Sequence, residues 1–432
     1  MTKEKLAILV GGGPAPGINS VISAATIRAL LQGVEVLGIR DGFSNILRGR
    51  TDLDAARPLR LEDVSRIHFS GGSILGTARD NPTKDVKLLD AVIDSLIKLG
   101  VTQLITIGGD DTAFSAMKVA ERAAGRVRVA HVPKTIDNDL DLDPNVDTFG
   151  YQTARHMGVE IIKNLMVDAK TTSRWYFAIA MGRKAGHLAL GIGKAAGATL
   201  TLIPEEFPKF KTNLQTLADT LAGAIIKRRS EGHHDGVAVL AEGLVESLPE
   251  DDLKQFGNIE LDDHGHVRFS EIDIGDFIKR ATVKRLKDLG IKTTIVSKNI
   301  GYELRCADPV PMDMEYTRDL GYCAAKYLFS GGNAAMVSLQ GGNFVPIPFA
   351  QMLDPQTGRT RVRMVDIHST RYAIARRYMI RLRRDDFEDQ TTVRKFAEVA
   401  HLSPDDFRKQ FAYLVENEAA PLDLVHRDGS RR

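Results

Sequence analysis

Cysteine is nearly absent from this sequence: Cys306 and Cys323 are the only two among 432 residues. That excludes a disulfide framework and a cysteine-built zinc site, and it fits a reducing cytoplasm. Aromatic residues are scarce at 6% and the formal net charge is only +2. Such a balance argues against a protein that coats nucleic acid or lies on an anionic membrane. No apolar run approaches the roughly 18 residues needed to span a bilayer. The first residues combine lysines with a short apolar stretch, but glycines follow at once and no small-residue cleavage site appears. The expectation is a first strand and not a signal peptide. The eleven histidines show no metal-ligand spacing, and His233 with His234 reads as a surface turn. No close internal repeat is present either. These absences leave a cytosolic globular chain of about two or three domains.

What is present centres on residues 131–139, HVPKTIDND. The apolar run 127–132 reads as a buried strand, ended by Pro133, which offers the ladder no N–H. Lys134, Thr135, Asp137 and Asp139 follow within six residues. Carboxylates at i and i+2 cannot both turn into a core, so at least one faces a cleft or solvent. A lysine and two aspartates where a strand leaves a sheet suit chemistry on a phosphate. The cation holds the anion, one carboxylate takes a proton from an attacking hydroxyl, and another serves a metal. For this segment alone, a polar loop capped by aspartates is the plain alternative.

Upstream, the strand 6–10 runs into GGGPAPG at 11–17, and Ile18, Val21, Ile22, Ala25 and Ala29 then fall at helical spacing toward Gly33. Strand, glycine turn and helix make a phosphate-cradle layout, although the spacing matches neither a Walker loop nor the dinucleotide fingerprint. Residues 34–39 read as a second strand. The loop GGSILGTARDNP, 71–82, carries Arg79, whose fork could close over a phosphate. A helix at 85–99 and a strand at 104–107 lead into GGDDT, 108–112, the position where open α/β sheets bind ligands. Asp110 is a candidate magnesium partner, with helix capping the plain alternative for the aspartate pair.

This alternation to about residue 150 predicts a doubly wound parallel sheet. The architecture recurs in strands 176–180, 198–203 and 237–240. The first of these ends in MGRKAGH, 181–187, and the last leads to Glu242 and Gly243. Residues 248–272 read as an acidic, exposed excursion. Residues 299–317 are polar and contain prolines, which predicts a functional loop and domain crossover with Arg305 as its best anion ligand. A helix at 321–329, a strand at 335–339 and a hairpin at 356–363 follow. The basic tail (Arg376, Arg377, Arg381, Arg383, Arg384) reads as a solvated face. Ser403, Pro404 and Asp406 open a late helix with Phe407, Phe411 and Leu414 as its buried stripe.

Taken in order, GGGPAPG, GGSILGTARD, IGGDDT, PKTIDND, AMGRKAGH, AEG and the GYELR loop resemble the phosphofructokinase family over residues 5 to about 345. The resemblance implies an α/β fold of two doubly wound Rossmann-like domains with the active site in the cleft between them. Residues 1–150 plus about 304–350 would bind the phosphoryl donor. Residues 151–303 plus about 351–432, including a helical tail, would bind the sugar phosphate. By position, the resemblance makes Asp137 the general base on the sugar's C-1 hydroxyl and gives Asp139 an assisting role at the reacting phosphoryl group. Lys134 and Arg183 complete the implied catalytic set, and Asp110 belongs to a magnesium (Mg2+) site. Thr135 lies beside the sugar. Met181, Gly182, Arg183, Glu242 and Arg305 match positions that bind fructose 6-phosphate. Arg174 matches an arginine often donated by a neighbouring subunit, and Tyr302 stands where many relatives have histidine. Gly11, Gly12 and Arg79 match the donor side.

Two residues bear on the donor. ATP-using members usually read GGDG and PGTID, where this chain has Asp111 and Lys134. Two like charges about 4 Å apart repel by roughly 4 kcal/mol at an effective dielectric of about 20, or about a thousandfold in binding. A carboxylate at Asp111 would therefore oppose a nucleotide's α-phosphate, while Lys134 offers a cation to a compact anion. The pair is similar to the pyrophosphate-dependent branch. The implied reaction is reversible transfer from pyrophosphate to fructose 6-phosphate, giving fructose 1,6-bisphosphate and phosphate, a step of glycolysis. The alternatives are an ATP-dependent kinase of the same fold and a non-catalytic sugar-phosphate-binding regulatory homologue. A cytoplasmic homodimer or homotetramer is expected, with no nucleic-acid or membrane partner. The first loop departs from the family's GGD-x-PG by losing a carboxylate and adding a residue, and the tail beyond about 350 matches weakly.

Overall fold

Apolar runs of five or six residues that include β-branched side chains become most of the strands. In the computed structural model KLAILV and EVLGI form β1 (Lys5–Val10) and β2 (Glu35–Ile39), followed by the short β3 (Ala56–Pro58). QLITIG and RVAHVP form β4 (Gln103–Gly108) and β5 (Arg128–Pro133). The chain then builds a second unit with β6 (Trp175–Ala180), β7 (Leu200–Leu202), β8 (Gly236–Ala241) and β9 (Ile295–Ile300). It returns to the first with β10 (Ala335–Gln340) and β11 (Asn343–Pro348). The structure describes residues 4–143, 145–207, 212–249, 252, 273–353 and 361–418. The expected excursion at 248–272, apart from 248, 249 and 252, and the hairpin residues 356–360 lie outside the described residues. Met1–Met157 and Tyr302–Arg363 make up most of one unit, and Gly158–Glu260 and Met364–Arg432 most of the other.

Among the described residues, the first unit holds a seven-stranded sheet ordered β11-β10-β5-β4-β1-β2-β3. The five inner strands are parallel, and the edge strands β3 and β11 are antiparallel. Both edges contain proline: Pro58 in β3, Pro346 and Pro348 in β11. Because side chains alternate along a strand, Ala7, Leu9, Leu104 and Val129 face one side of the sheet. There they pack with Val92 and Leu96 of helix Val86–Lys98 and with Ala116 and Val119 of helix Asp110–Ala123. From β1 the chain proceeds outward to β2 and β3, then returns to place β4 on the other side of β1. That reversal opens a crevice at the carboxyl ends of β1 and β4, the place where open α/β sheets take ligands.

The second unit's sheet, ordered β7-β8-β6-β9, is parallel throughout. Its chain order also reverses at β6. No strand is predicted at β9; Lys298 and Asn299 are exposed along it, as its place at the sheet edge allows, so its sequence lacks an apolar run. The expected loop 299–317 is corrected at both ends. Asn299 and Ile300 lie in β9, and helix Pro311–Phe329 starts ten residues before the predicted 321. Pro311 sits in its first turn, where the missing N–H costs nothing.

The tail also departs from expectation. Arg381 is buried, Arg376 is half-buried, and the two share Glu206 at 2.6 and 3.1 Å, so this part of the basic run is no solvated face. Ser403 caps helix Pro404–Phe411 as predicted, through the N–H of Asp406. The buried stripe keeps Phe407 and Phe411, but Leu414 falls in a following 3-10 turn and Val415 fills the interior there. Among the described residues no helix is long and apolar enough to cross a membrane.

Candidate active site

The crevice of the first unit is built from three segments. The Gly11 N–H donates to the Ile107 carbonyl at 2.8 Å, joining the ends of β1 and β4, and the Gly12 N–H donates to the Ala78 carbonyl at 2.8 Å, joining the 71–82 loop. Thr112 explains two of the glycines: a Cβ on Gly11 or on Gly108 would lie 2.4 or 2.3 Å from its side chain. Without those Cβ atoms, the helix Asp110–Ala123 starts against the strand ends. Gly109 occupies its N-cap position, and Asp110 and Asp111 stand in its first turn, where the helix dipole favours carboxylates. They are not side-chain caps.

Strand β5 delivers Lys134 to the same place. Its N–H donates to the Gly108 carbonyl at 2.7 Å, and its ammonium group donates to the carbonyl of Gly13. Behind it lies His131, fully buried. Nε2 meets the Gly108 carbonyl at 3.1 Å and Nδ1 meets the Thr106 hydroxyl at 2.8 Å. A carbonyl only accepts, so Nε2 carries the proton and Nδ1 accepts from Thr106. Burial pushes the imidazole down to about 3 and keeps it neutral.

A pocket of about 400 Å³ adjoins the turn, lined by Gly12, Gly13, Arg79, Tyr302, Arg305 and Cys306 among others. Arg305 packs on Gly13, 3.3 Å from where a Cβ would stand, and lies over the Tyr302 ring at 5.4 Å. Thus Arg305, matched by resemblance to the sugar phosphate, and Tyr302, which stands where many relatives have histidine, share a pocket in this structure with Gly12 and Arg79, matched to the donor.

Beyond Lys134 the chain forms an irregular loop. The Thr135 hydroxyl accepts from the Asp137 N–H at 3.0 Å and donates to Asp139 Oδ1 at 3.2 Å, which ties both aspartates to one side chain. Asn138, at φ +58°, lies buried between them. Arg363 packs on this loop from far along the chain, with its N–H donating to the Asp139 carbonyl at 2.7 Å.

In the second unit, β6 leads into Met181, Gly182 and Arg183. The N–H groups of Gly182 and Arg183 both donate to Glu242 Oε1, at 2.9 and 2.7 Å, and Glu242 is itself buried just after β8. This carboxylate shapes the turn and holds Arg183 at φ +48°. Gly243 is required beside it, because a Cβ would come within 2.3 Å of the Arg183 carbonyl. Arg174 sits at the opposite end of β6, roughly 20 Å from Met181 at ~3.3 Å per residue, and leans toward Asp168 at 4.0 Å. The chain does not bring its own Arg174 to its own Arg183.

Among the described residues no group of three or more His, Cys, Asp or Glu forms a metal cage. The donor set nonetheless fits magnesium. That ion keeps several waters and needs one or two carboxylates plus substrate phosphates, and Asp110 stands at the mouth of the crevice. Sequence reasoning missed Thr112, His131 and Arg363 as supports of this site, because the fold alone brings Thr112 to Gly11, His131 to Gly108 and Arg363 to Asn138.

The comparisons with known proteins bear on the same segments. A family model described as phosphofructokinase matches residues 5–328. A pyrophosphate–fructose 6-phosphate 1-phosphotransferase of Thermotoga maritima is 51% identical over 96% of this chain and 99% of its own length. One of Naegleria fowleri is 49% identical over 95% and 96%. In fold, the chain resembles a solved pyrophosphate-dependent phosphofructokinase of Marinobacter aquaeolei, with TM-score 0.65 at 16% identity over 93% and 92% of the two chains. It also resembles the phosphofructokinase of Saccharomyces cerevisiae, with TM-score 0.63 at 23% identity over 81% of this chain, although it spans only 44% of that one. Motif order, a doubly wound sheet with its crevice at β1 and β4, and near-full-length identity converge: the chain belongs to the phosphofructokinase family.

Proposed function

We infer that this chain transfers a phosphoryl group reversibly between pyrophosphate and the C-1 hydroxyl of fructose 6-phosphate, yielding fructose 1,6-bisphosphate and phosphate. The observation that carries the choice of donor is the pairing at the crevice. Lys134 is anchored on Gly13 at the end of β1, and Asp111 stands in the first turn of the helix that follows β4. A compact anion finds a cation and backbone there, whereas the α-phosphate of a nucleotide would meet a carboxylate. The curated relatives at 51% and 49% identity carry the name of that reaction.

Arg79 and Arg305 would hold pyrophosphate oxygens from either side of the pocket, each able to offer paired N–H groups. Asp137 would take the proton of the C-1 hydroxyl as it attacks, with Thr135 keeping its backbone in place and Asp139 beside the reacting group. Arg183, Gly182 and Met181, on a turn held by Glu242, would receive the sugar phosphate, with Arg174 donated to a neighbouring subunit. Magnesium, held by Asp110 and phosphate oxygens, would neutralise charge on the transferring group. The setting proposed is a cytoplasmic homodimer or homotetramer. One coupled assay decides the reading: with fructose 6-phosphate, pyrophosphate must support turnover far better than ATP. A preference for ATP overturns it.

A further inference from the structure

We propose that Arg363 is a positioning residue for the phosphoryl-transfer loop, setting where Asp137 stands without touching substrate. The proposal rests on the reading of Asp137 as the base. After Lys134 the loop is irregular apart from isolated bridges of Lys134 to Phe149 and of Leu140 to Val362, and its turn depends on Asn138 at φ +58°, a left-handed conformation that asparagine tolerates but that still needs fixing by its surroundings. Part of that fixing comes from within the loop: Asn138 Oδ1 accepts from the Thr148 N–H at 2.9 Å, and its Nδ2 donates to Asp147 at 3.0 Å.

The rest comes from 225 residues away. Arg363 Nε and Nη2 donate to the Asn138 carbonyl at 3.2 and 3.1 Å, and Nη2 also reaches Asn138 Oδ1 at 2.5 Å. Nη1 donates to the carbonyls of Asp143 and Val146 at 3.1 and 2.9 Å. These five contacts match the five N–H bonds of a guanidinium, and every one goes to a loop oxygen that carries no formal charge. With the backbone bond to Asp139, both residues that follow Asp137 are held by one side chain and its own peptide. An arginine that spends its fork in this way acts as a template for the loop, not as a ligand for a phosphate.

The test compares Arg363→Ala and Arg363→Lys with wild type, using pyrophosphate and fructose 6-phosphate. Lysine keeps the cation but has only three donors and no planar fork. Displacing the base should lower kcat by about 10- to 100-fold in the alanine variant, since an error of about 1 Å near the chemistry costs that much. The two KM values should change little, and added guanidinium should restore part of kcat in the alanine variant alone. Should alanine prevent folding, the lysine variant carries the same comparison. Wild-type turnover in either variant, or a loss confined to KM, overturns the proposal. Amide hydrogen exchange separates it from the functional reading. Faster exchange confined to residues 137–148 supports the template role even if wild type proves inactive with pyrophosphate, and unchanged exchange there overturns it.

Discussion

Lys134 donates from its ammonium group to the carbonyl oxygen of Gly13, so a cation carried by β5 is fastened to the turn that ends β1. Only 6% of the residue is exposed. Lys134→Gly should therefore cost pyrophosphate use by about 10- to 100-fold, the worth of a charge-assisted bond. Asp111→Gly should act in the other sense and raise ATP-dependent activity by removing the carboxylate. The measurement is the ratio of kcat/KM values for the two donors, in single and double variants. Because both residues act on one anion, their effects should not add. An unchanged ratio in folded Asp111→Gly contradicts the donor argument.

Replacing Asp137 with asparagine keeps the shape of the side chain and removes the proton acceptor. Turnover should fall by about 10² to 10⁴ while sugar binding changes little. Thr135 ties Asp137 and Asp139 together, which makes Asp139 the next candidate. A near-normal rate in Asp137→Asn would transfer the role to it.

Arg305 was expected at the sugar phosphate, but its guanidinium lies on Gly13 in the pocket that holds Arg79. Arg305→Ala should then raise the KM for pyrophosphate at least as much as that for fructose 6-phosphate. Initial rates with each substrate varied in turn decide the matter. A loss on the sugar side alone would restore the assignment drawn from resemblance.

His131 supplies a pH dependence of stability. Burial lowers its proton affinity from the ordinary 6.5 to about 3, so below neutral pH the unfolded chain binds a proton that the folded chain refuses. The stability it contributes is complete above about pH 6.5 and is lost as pH falls toward 3, with about 2 kcal/mol gone by pH 5. Chemical denaturation at pH 7 and pH 5 should show the gap between wild type and His131→Gln shrinking by about that amount. A constant gap would mean that the imidazole is protonated in the fold.

Most strands of the first unit and both glycine turns of its crevice were legible in the sequence, because apolar run, glycine and helical period all lie within one short window. The failures have a different physical origin. β9 is an edge strand whose polar residues face water, and Pro311 looks like a helix breaker although it occupies a first turn. Arg376 and Arg381 read as solvated until Glu206, 170 and 175 positions away, is seen to accept from both. Arg363 carries no signal of its own either. Its meaning lies in carbonyl oxygens that belong to another part of the chain, and no residue pattern announces a carbonyl.

The prolines at the two ends of the seven-stranded sheet bear on how this enzyme survives at high concentration. A strand seeking to extend the sheet would meet a ladder that lacks N–H groups at Pro58 on one side and at Pro346 and Pro348 on the other. Interrupted edges are poor templates for strand addition, the contact through which sheet proteins aggregate. The enzyme gains resistance to edge-to-edge association from those three residues. Replacing Pro346 and Pro348 with valine would be expected to leave the catalytic rate intact and shorten the time the protein stays in solution.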